Sequence, residues 1–330
     1  MTAVANKTTA LELICPAGNP AALKAAVAAG ADVVYAGFAD ATNARNFPGL
    51  NFTRDEMAVG IDHAHSQGCG VYIAVNTYPE TGNTGPWRQA VDDAAALGAD
   101  AIILADIGLL EYAAETRPDL RRHLSVQASA SNRAAIEFYQ HAFGVKRVAL
   151  PRVLTLAEIA ELNDGLPVET EVFAFGGMCV MAEGRCTLSA YATGQSPNCN
   201  GVCSPASHVR YERRGDETVS RLGDFTLNIF AEGEAAGYPT LCKGRFVAGE
   251  STSYLFEEPS SLNVLEILPE LAAAGVSALK IEGRQRGRAY VSRVVSTFRA
   301  AVDGISQTGA LDDMTEGARN TDGAYQKSWH

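Results

Sequence analysis

Four cysteines, Cys179, Cys186, Cys203 and Cys242, fall in one stretch rich in Gly, Ser, Pro and Arg, with six, sixteen and thirty-eight residues between successive members. Thiolates are soft ligands that suit iron–sulfur clusters and zinc. Four of them would satisfy either a 4Fe–4S cluster or a closed structural zinc site. Structural zinc sites usually draw on tight pairs with about two to four residues between them, which make a rigid knuckle. These four contain no such pair, and Cys199 with Cys203 is the nearest candidate. A cubane tolerates longer separations, because its corners lie further apart than the ligands of one ion. Spacing therefore favours a cluster but leaves zinc and unliganded thiols open. Of the other cysteines, Cys69 reads as buried packing between glycines. Cys15 ends an apolar run and faces the presumed site, and Cys199 is left unliganded.

Short apolar runs and amphipathic stretches must position this segment. Runs at 11–15, 32–37, 70–76, 99–105, 124–128, 147–150 and 169–175 read as strands, mostly continuous Val/Ile/Ala/Leu as parallel strands buried on both faces require. Helix patterns lie between them at 20–29, 53–66, 86–97, 107–115, 132–141 and 156–162. Asn19 before Pro20 is a cap with proline in the first turn, and Thr155 with Glu158 matches a capping box. The rhythm breaks at 176–260, then resumes with a helix at 263–274, a strand at 278–282 and a helix at 288–301. Eight strand–helix units predict an α/β fold, a TIM-type (β/α)8 barrel over 11–304, with the cysteine-rich insertion 176–260 after the seventh strand. An open doubly wound sheet is the alternative, weakened by the lack of G-x-G-x-x-G after the first strand. Residues 1–10 read as a polar tail and 305–330 as a disordered one.

Barrels work at the carboxyl ends of their strands. Those positions hold 15–19, 43–46, 76–77, Asp106, 127–129, 151–152 and 282–286. The candidate substrate-binding residues are Asn43, Arg45, Asn76, Gln127, Arg152, Lys280, Glu282 and Arg284. Arginine suits bidentate carboxylate binding, and Glu282 reads as an internal ion-pair partner for these cations, with an acid–base group as the alternative.

The 330-residue chain is 47% hydrophobic with a formal net charge of −11, long enough for a sizeable core and poorly matched to a phosphate backbone. No run approaches the ~20 apolar residues of a membrane helix, and no signal-peptide core is evident. With seven cysteines, an odd number, a cytosolic protein without a disulfide framework is expected. None of the six histidines falls at a strand's carboxyl end, and there is no H-E-x-x-H, so proteolysis has little support.

The run E-V-F-A-F-G-G-M-C at 171–179 followed by G-R-C-T-L-S at 184–189 resembles the signature of the collagenase-like peptidase U-32 family. Gly177 stands where that signature usually has Ser or Ala. Further blocks resemble the family's ubiquinone-biosynthesis branch: C-P-A-G-N at 15–19, T-N-A-R-N-F at 42–47, L-A-D at 104–106, S-V-Q-A-S at 125–129 and L-P-R at 150–152. Y-P-T-L-C-K-G-R at 238–245, E-P-S-S-L-N at 258–263 and K-I-E-G-R-Q-R at 280–286 extend the likeness. The resemblance implies a 4Fe–4S cluster on Cys179, Cys186, Cys203 and Cys242. It also implies a heterodimer with the related protein UbiV and oxygen-independent hydroxylation of a ubiquinone precursor, with prephenate as oxygen donor and no peptide cleavage. Two competitors stand beside this reading. One is hydroxylation of RNA bases, against which the basic stretch 210–221 carries balancing Glu212, Asp216 and Glu217. The other is a non-catalytic, cluster-bearing scaffold.

Overall fold

The computed structural model describes residues 11–179, 186–234, 236–315 and 319–327. The tail 1–10 and the 180–185 part of the cysteine segment lie outside them. Seven parallel strands follow one another around the molecule: β1 Glu12–Pro16, β2 Val33–Ala36, β3 Gly70–Val75, β4 Ala101–Leu104, β5 Arg121–Leu124, β6 Arg147–Ala149 and β7 Glu169–Gly177. Far along the chain, β14 (Ala278–Ile281) pairs in parallel with both β1 and β7 and closes the ring. The result is an eight-stranded parallel barrel of the TIM type, as the strand–helix rhythm predicts.

Helices α1 Pro20–Ala28, α2 Arg54–Ser66, α3 Gly85–Ala96, α4 Ile107–Thr116, α5 Arg133–Phe143 and α6 Leu156–Asn163 connect these strands, and α10 Arg288–Val302 follows β14. Their starts are written in the sequence. Asn19 caps α1, and reciprocal Thr–Glu capping boxes start α2 and α6. Their apolar faces pack on the outer face of the sheet, where Leu23, Ile61, Trp87, Leu110, Val291 and Phe298 are buried.

Strand register sets what fills the barrel. Pairings Ile14–Val33, Val34–Val71, Tyr72–Ala101, Ile102–Arg122, His123–Arg147, Val148–Thr170, Glu171–Ala278 and Leu279–Leu13 advance one residue at each crossing and return to Ile14. Side chains from alternate strands therefore share a level: Ile14, Tyr72, His123 and Glu171 in one, and Tyr35, Ile103, Ala149 and Lys280 in the next. Such levels are usually aliphatic, yet these include His123, Glu171 and Lys280.

The insertion between β7 and β14 has its own small elements. They include α7 Thr187–Thr193, α8 Pro197–Asn200, and an antiparallel sheet of β8 Val209–Arg214, β9 Glu217–Leu222 and β10 Phe225–Phe230. The hairpin β11 Arg245–Ala248 and β12 Ser251–Tyr254 follows. Leu222, Leu227 and Leu241 form a separate small core there.

Three expectations need correction. The fifth strand is Arg121–Leu124, not 124–128; Ser125 instead caps a 3-10 turn, Val126–Ala128. Its inward residues, Arg121 and His123, hid it from an apolar-run reading. The expected helix at 263–274 begins late. Residues Ser260–Asn263 form β13, antiparallel to β7, and only Leu268–Ala273 is α-helical (α9). The tail after residue 304 is ordered over its described part: β15 Arg319–Thr321 pairs with β13, and Leu311 and Tyr325 are buried. The Tyr325 hydroxyl donates to the Phe173 carbonyl at 2.8 Å, so two apolar anchors hold a segment whose composition is otherwise polar.

Candidate functional site

Glu282 follows β14 at the carboxyl rim, and its backbone N–H donates to Phe175 O at 2.8 Å. Gly176 makes this approach possible. Its φ is +132°, and a Cβ there would stand 2.6 Å from the Glu282 Cβ. Glu282 is clamped by two arginines from opposite parts of the rim. Arg45, in the loop after β2, places Nη2 2.5 Å from Oε1; Arg152, after β6, places Nη2 2.9 Å from Oε2. The Arg152 guanidinium also lies 3.6 Å above the Phe173 ring, a stacked geometry that lysine cannot copy. Burial pushes the Glu282 carboxyl up, but Arg152 and then Arg45 outweigh it and hold it below the ordinary carboxylate range.

Arg284 stands beside this clamp, buried, with Nη1 donating to Asn43 Oδ1 at 3.0 Å and Nη2 to Ala44 O at 3.3 Å. Both acceptors are neutral. Burial pulls its guanidinium down, to about 10, which still leaves it charged at neutral pH. Asn43 in turn donates to Phe38 O at 2.5 Å, and Asn76 accepts from Ala44 N at 3.0 Å while donating to Ser125 Oγ at 3.3 Å. The two asparagines thus hold the loop that carries Arg45. Three guanidiniums lie within electrostatic range of one carboxylate.

Asn43, Arg45, Asn76, Arg152, Glu282 and Arg284 therefore converge. Gln127 borders them through the 3-10 turn: its N–H donates to Ser125 Oγ and its carbonyl accepts from Tyr78 OH. Lys280 does not join them. Its Nζ lies 2.7 Å from Glu171 Oε1, inside the barrel and below the rim, with the Tyr35 ring 4.4 Å away. Alternation misplaces Cys15 as well. Inward-facing Ile14 turns Cys15 outward, where it is fully buried and its thiol donates weakly to Leu13 O.

Lys243 and Tyr35 were missed by sequence reasoning. Lys243 comes from the insertion and acts electrostatically on both Glu282 and Cys203; its position next to Cys242 was the available signal. Tyr35 points inward from β2 and donates to Ile281 O at 2.9 Å, as strand alternation would indicate.

The insertion sets its cysteines over this rim. Gly201 approaches so closely that a Cβ would lie 2.3 Å from Asn43 O, and its φ of +74° suits glycine. Burial raises the Cys203 thiol, Arg45 opposes it, and Cys186 adds to the rise. Burial likewise pushes Cys242 up to about 12, reinforced by Cys179 and Cys203. Electrostatic interactions thus link the four cysteines: Cys186 with Cys203, Cys203 with Cys242, and Cys242 with Cys179. Among the described residues, no three Cys, His, Asp or Glu side chains close on a point suited to one metal ion. A polynuclear group meets each thiolate with a separate iron. Four soft donors, with Cys203 and Cys242 disfavoured as free thiolates by burial and Cys203 set beside the Arg45 guanidinium, fit an anionic thiolate-ligated cluster.

The model of peptidase family U32 matches residues 18–326. The chain belongs to that family. Among U32-like relatives, the "tRNA hydroxylation protein P" of Haemophilus influenzae is 32% identical over 325 residues, covering 92% of this chain and 69% of the relative. The "Uncharacterized protease MJ0090" of Methanocaldococcus jannaschii is 31% identical over 324 residues, covering 97% and 72%. The "23S rRNA 5-hydroxycytidine C2501 synthase" of Escherichia coli is 27% identical over 298 residues, covering 89% of this chain and 40% of its own length. No helix among the described residues is long and apolar enough to cross a membrane.

Proposed function

We propose that this U32 protein is the iron–sulfur subunit of an O2-independent hydroxylase of the UbiU type. It acts on the aromatic ring of ubiquinone precursors, paired with UbiV, with prephenate as oxygen donor. Relatives named for hydroxylation of tRNA and rRNA support the reaction class, and the sequence blocks around the rim support the branch. The observation that carries the reading is the convergence of Arg45 and Arg152 on the Glu282 carboxylate, with Arg284 beside them, at the rim that the cysteine set overlies.

Cys179, Cys186, Cys203 and Cys242 would hold the cluster, which when bound supplies one-electron redox chemistry at the barrel mouth. Arg45 and Arg152 present guanidinium donors to a dicarboxylate, and Glu282 keeps them apart and oriented until one arrives. Asn43 fixes Arg284, whose charge favours an anion in a site that excludes bulk water. Asn76 steadies the loop bearing Arg45.

Anaerobic purification followed by iron, acid-labile sulfide and zinc analysis tests the cluster. About four irons and four sulfides per chain are expected, falling sharply in Cys179→Ala; zinc without labile sulfide would overturn it. Loss of ubiquinone only under anaerobic growth in Cys179→Ala, with an unchanged aerobic pool, is the expected physiological result. Unchanged quinone in both conditions would sink the assignment.

The relatives' names favour a second reading, hydroxylation of an RNA base by the same site. Comparing modified nucleosides in bulk RNA from deletion and wild-type cells separates the two, since only this reading predicts a missing hydroxylated nucleoside.

A further inference from the structure

Below the rim, the barrel interior holds a second built polar site that the hydroxylase reading does not use. The level shared by Ile14, Tyr72, His123 and Glu171 has two buried polar atoms with no protein partner, His123 Nδ1 and Glu171 Oε2. Both residues are almost fully buried, at 1% and 2% exposure. The charged groups around them are paired with one another. Arg121 Nε donates to His123 Nε2 at 2.8 Å and Lys280 Nζ donates to Glu171 Oε1 at 2.7 Å. Arg147 bonds Glu169, Glu12 and the Tyr72 hydroxyl, and that hydroxyl donates to Glu12 at 3.1 Å.

These contacts settle the ring's protonation. A guanidinium only donates, so Nε2 is the acceptor and the neutral ring carries its proton on Nδ1. The charges then balance: Glu12, Glu169 and Glu171 against Arg121, Arg147 and Lys280. What remains is one buried donor, Nδ1–H, and one buried acceptor, Oε2, projecting toward the axis from β5 and β7 at the same level. Tyr72 stands edge-on to the imidazole at 4.6 Å between centroids and fixes its orientation. Leaving both atoms unmet in a buried setting is costly, because neither water nor protein then replaces the hydrogen bonds they give up on folding.

We infer that this level holds an ordered water on the barrel axis, accepting from His123 Nδ1–H and donating to Glu171 Oε2. The water completes the polar level, locks the histidine tautomer that Arg121 requires, and leaves Lys280–Glu171 fully paired beneath the rim.

A high-resolution crystal structure of the anaerobically prepared protein tests this directly. The expected density is a single peak about 2.7–3.2 Å from both atoms. Long-range proton–nitrogen correlation spectra should show His123 as the Nδ1–H tautomer. His123→Phe should lose the peak, and His123→Asn, which keeps a donor, should retain it. A direct His123–Glu171 hydrogen bond, a level with no peak, or an Nε2–H tautomer would each overturn the inference. Because the density and the tautomer are read on the wild-type protein, a variant that fails to fold does not decide the question.

Discussion

Lys280 separates two roles that its place in the sequence cannot. Two residues before Glu282, it reads as a rim cation, yet its ammonium is paired inside the barrel with Glu171 at 2.7 Å. Removing one member of a buried pair leaves the other charged and unpaired, at a cost of roughly 3–5 kcal/mol. Lys280→Ala should therefore lower the urea-unfolding free energy by about that much. A substrate ligand would instead raise KM with stability unchanged. His123 makes the second residue-scale prediction. Burial, then Arg147, Arg121 and Lys280, hold its ring neutral well below the usual range. Unfolded, it takes up a proton below about pH 6.5. Between these two values the unfolded chain binds more protons than the native one, so stability falls as the pH drops below 6.5, by up to about 1.4 kcal/mol per unit. Unfolding free energies measured from pH 8 to pH 5 should show this slope in the wild type and lose it in His123→Phe. Equal slopes would mean that the ring is charged in the fold.

At the scale of elements, the insertion is attached to the barrel at a point where no side chain fits. Gly201 meets the Asn43 carbonyl at a distance a Cβ would reduce to 2.3 Å. A non-glycine residue at its φ of +74° also carries about 1–2 kcal/mol of strain. Gly201→Ala should leave the barrel's secondary structure intact by circular dichroism and quicken limited proteolysis within 186–234, as the cysteine segment lifts from the rim. Unaltered cleavage would show that the insertion is held elsewhere. The eight-strand frame itself was legible, because buried parallel strands are continuous apolar runs and their helices begin at Asn19, Thr53 and Thr155. What was not legible has a common physical cause. Strand β5 carries Arg121 and His123 into an interior normally filled with aliphatic residues, so its pattern looked like a loop. Strand β13 and the tail are held by long-range pairing and by the buried Leu311 and Tyr325, which local periodicity does not report. The rim was largely readable from the βα rule, but that rule does not see the difference between an inward Lys280 and an overhanging Glu282. Lys243 arrives from another element altogether.

For the whole molecule, charge is distributed by function rather than by average. The chain carries a formal −11, while its convergent cations, Arg45, Arg152 and Arg284, are drawn into a partly buried rim beneath the cysteines. The exposed basic stretch on the β8–β9 hairpin is answered locally, with Arg214 and Arg221 both near Glu212 at 3.0 and 3.9 Å. A surface of this kind gathers small anions at one mouth and gives a polyanion little to follow. Binding to bulk tRNA should therefore be weak at physiological salt. Each phosphate neutralised contributes about −0.9 to the slope of log K against log salt on a duplex, and few contacts mean a shallow slope. Fluorescence titrations at about 50 and 200 mM salt should give no saturable retention at the higher value and little change between the two. Tight binding with a steep slope would show that the cationic rim reaches the surface as an RNA groove, and would transfer the assignment from a quinone precursor to a nucleic-acid base. A small dicarboxylate draws on only two or three buried guanidiniums, shielded from the solvent's ions, so its affinity should persist across the same salt range. The contrast between the two titrations thus distinguishes the substrate classes on one protein sample, without requiring the reaction itself to be reconstituted.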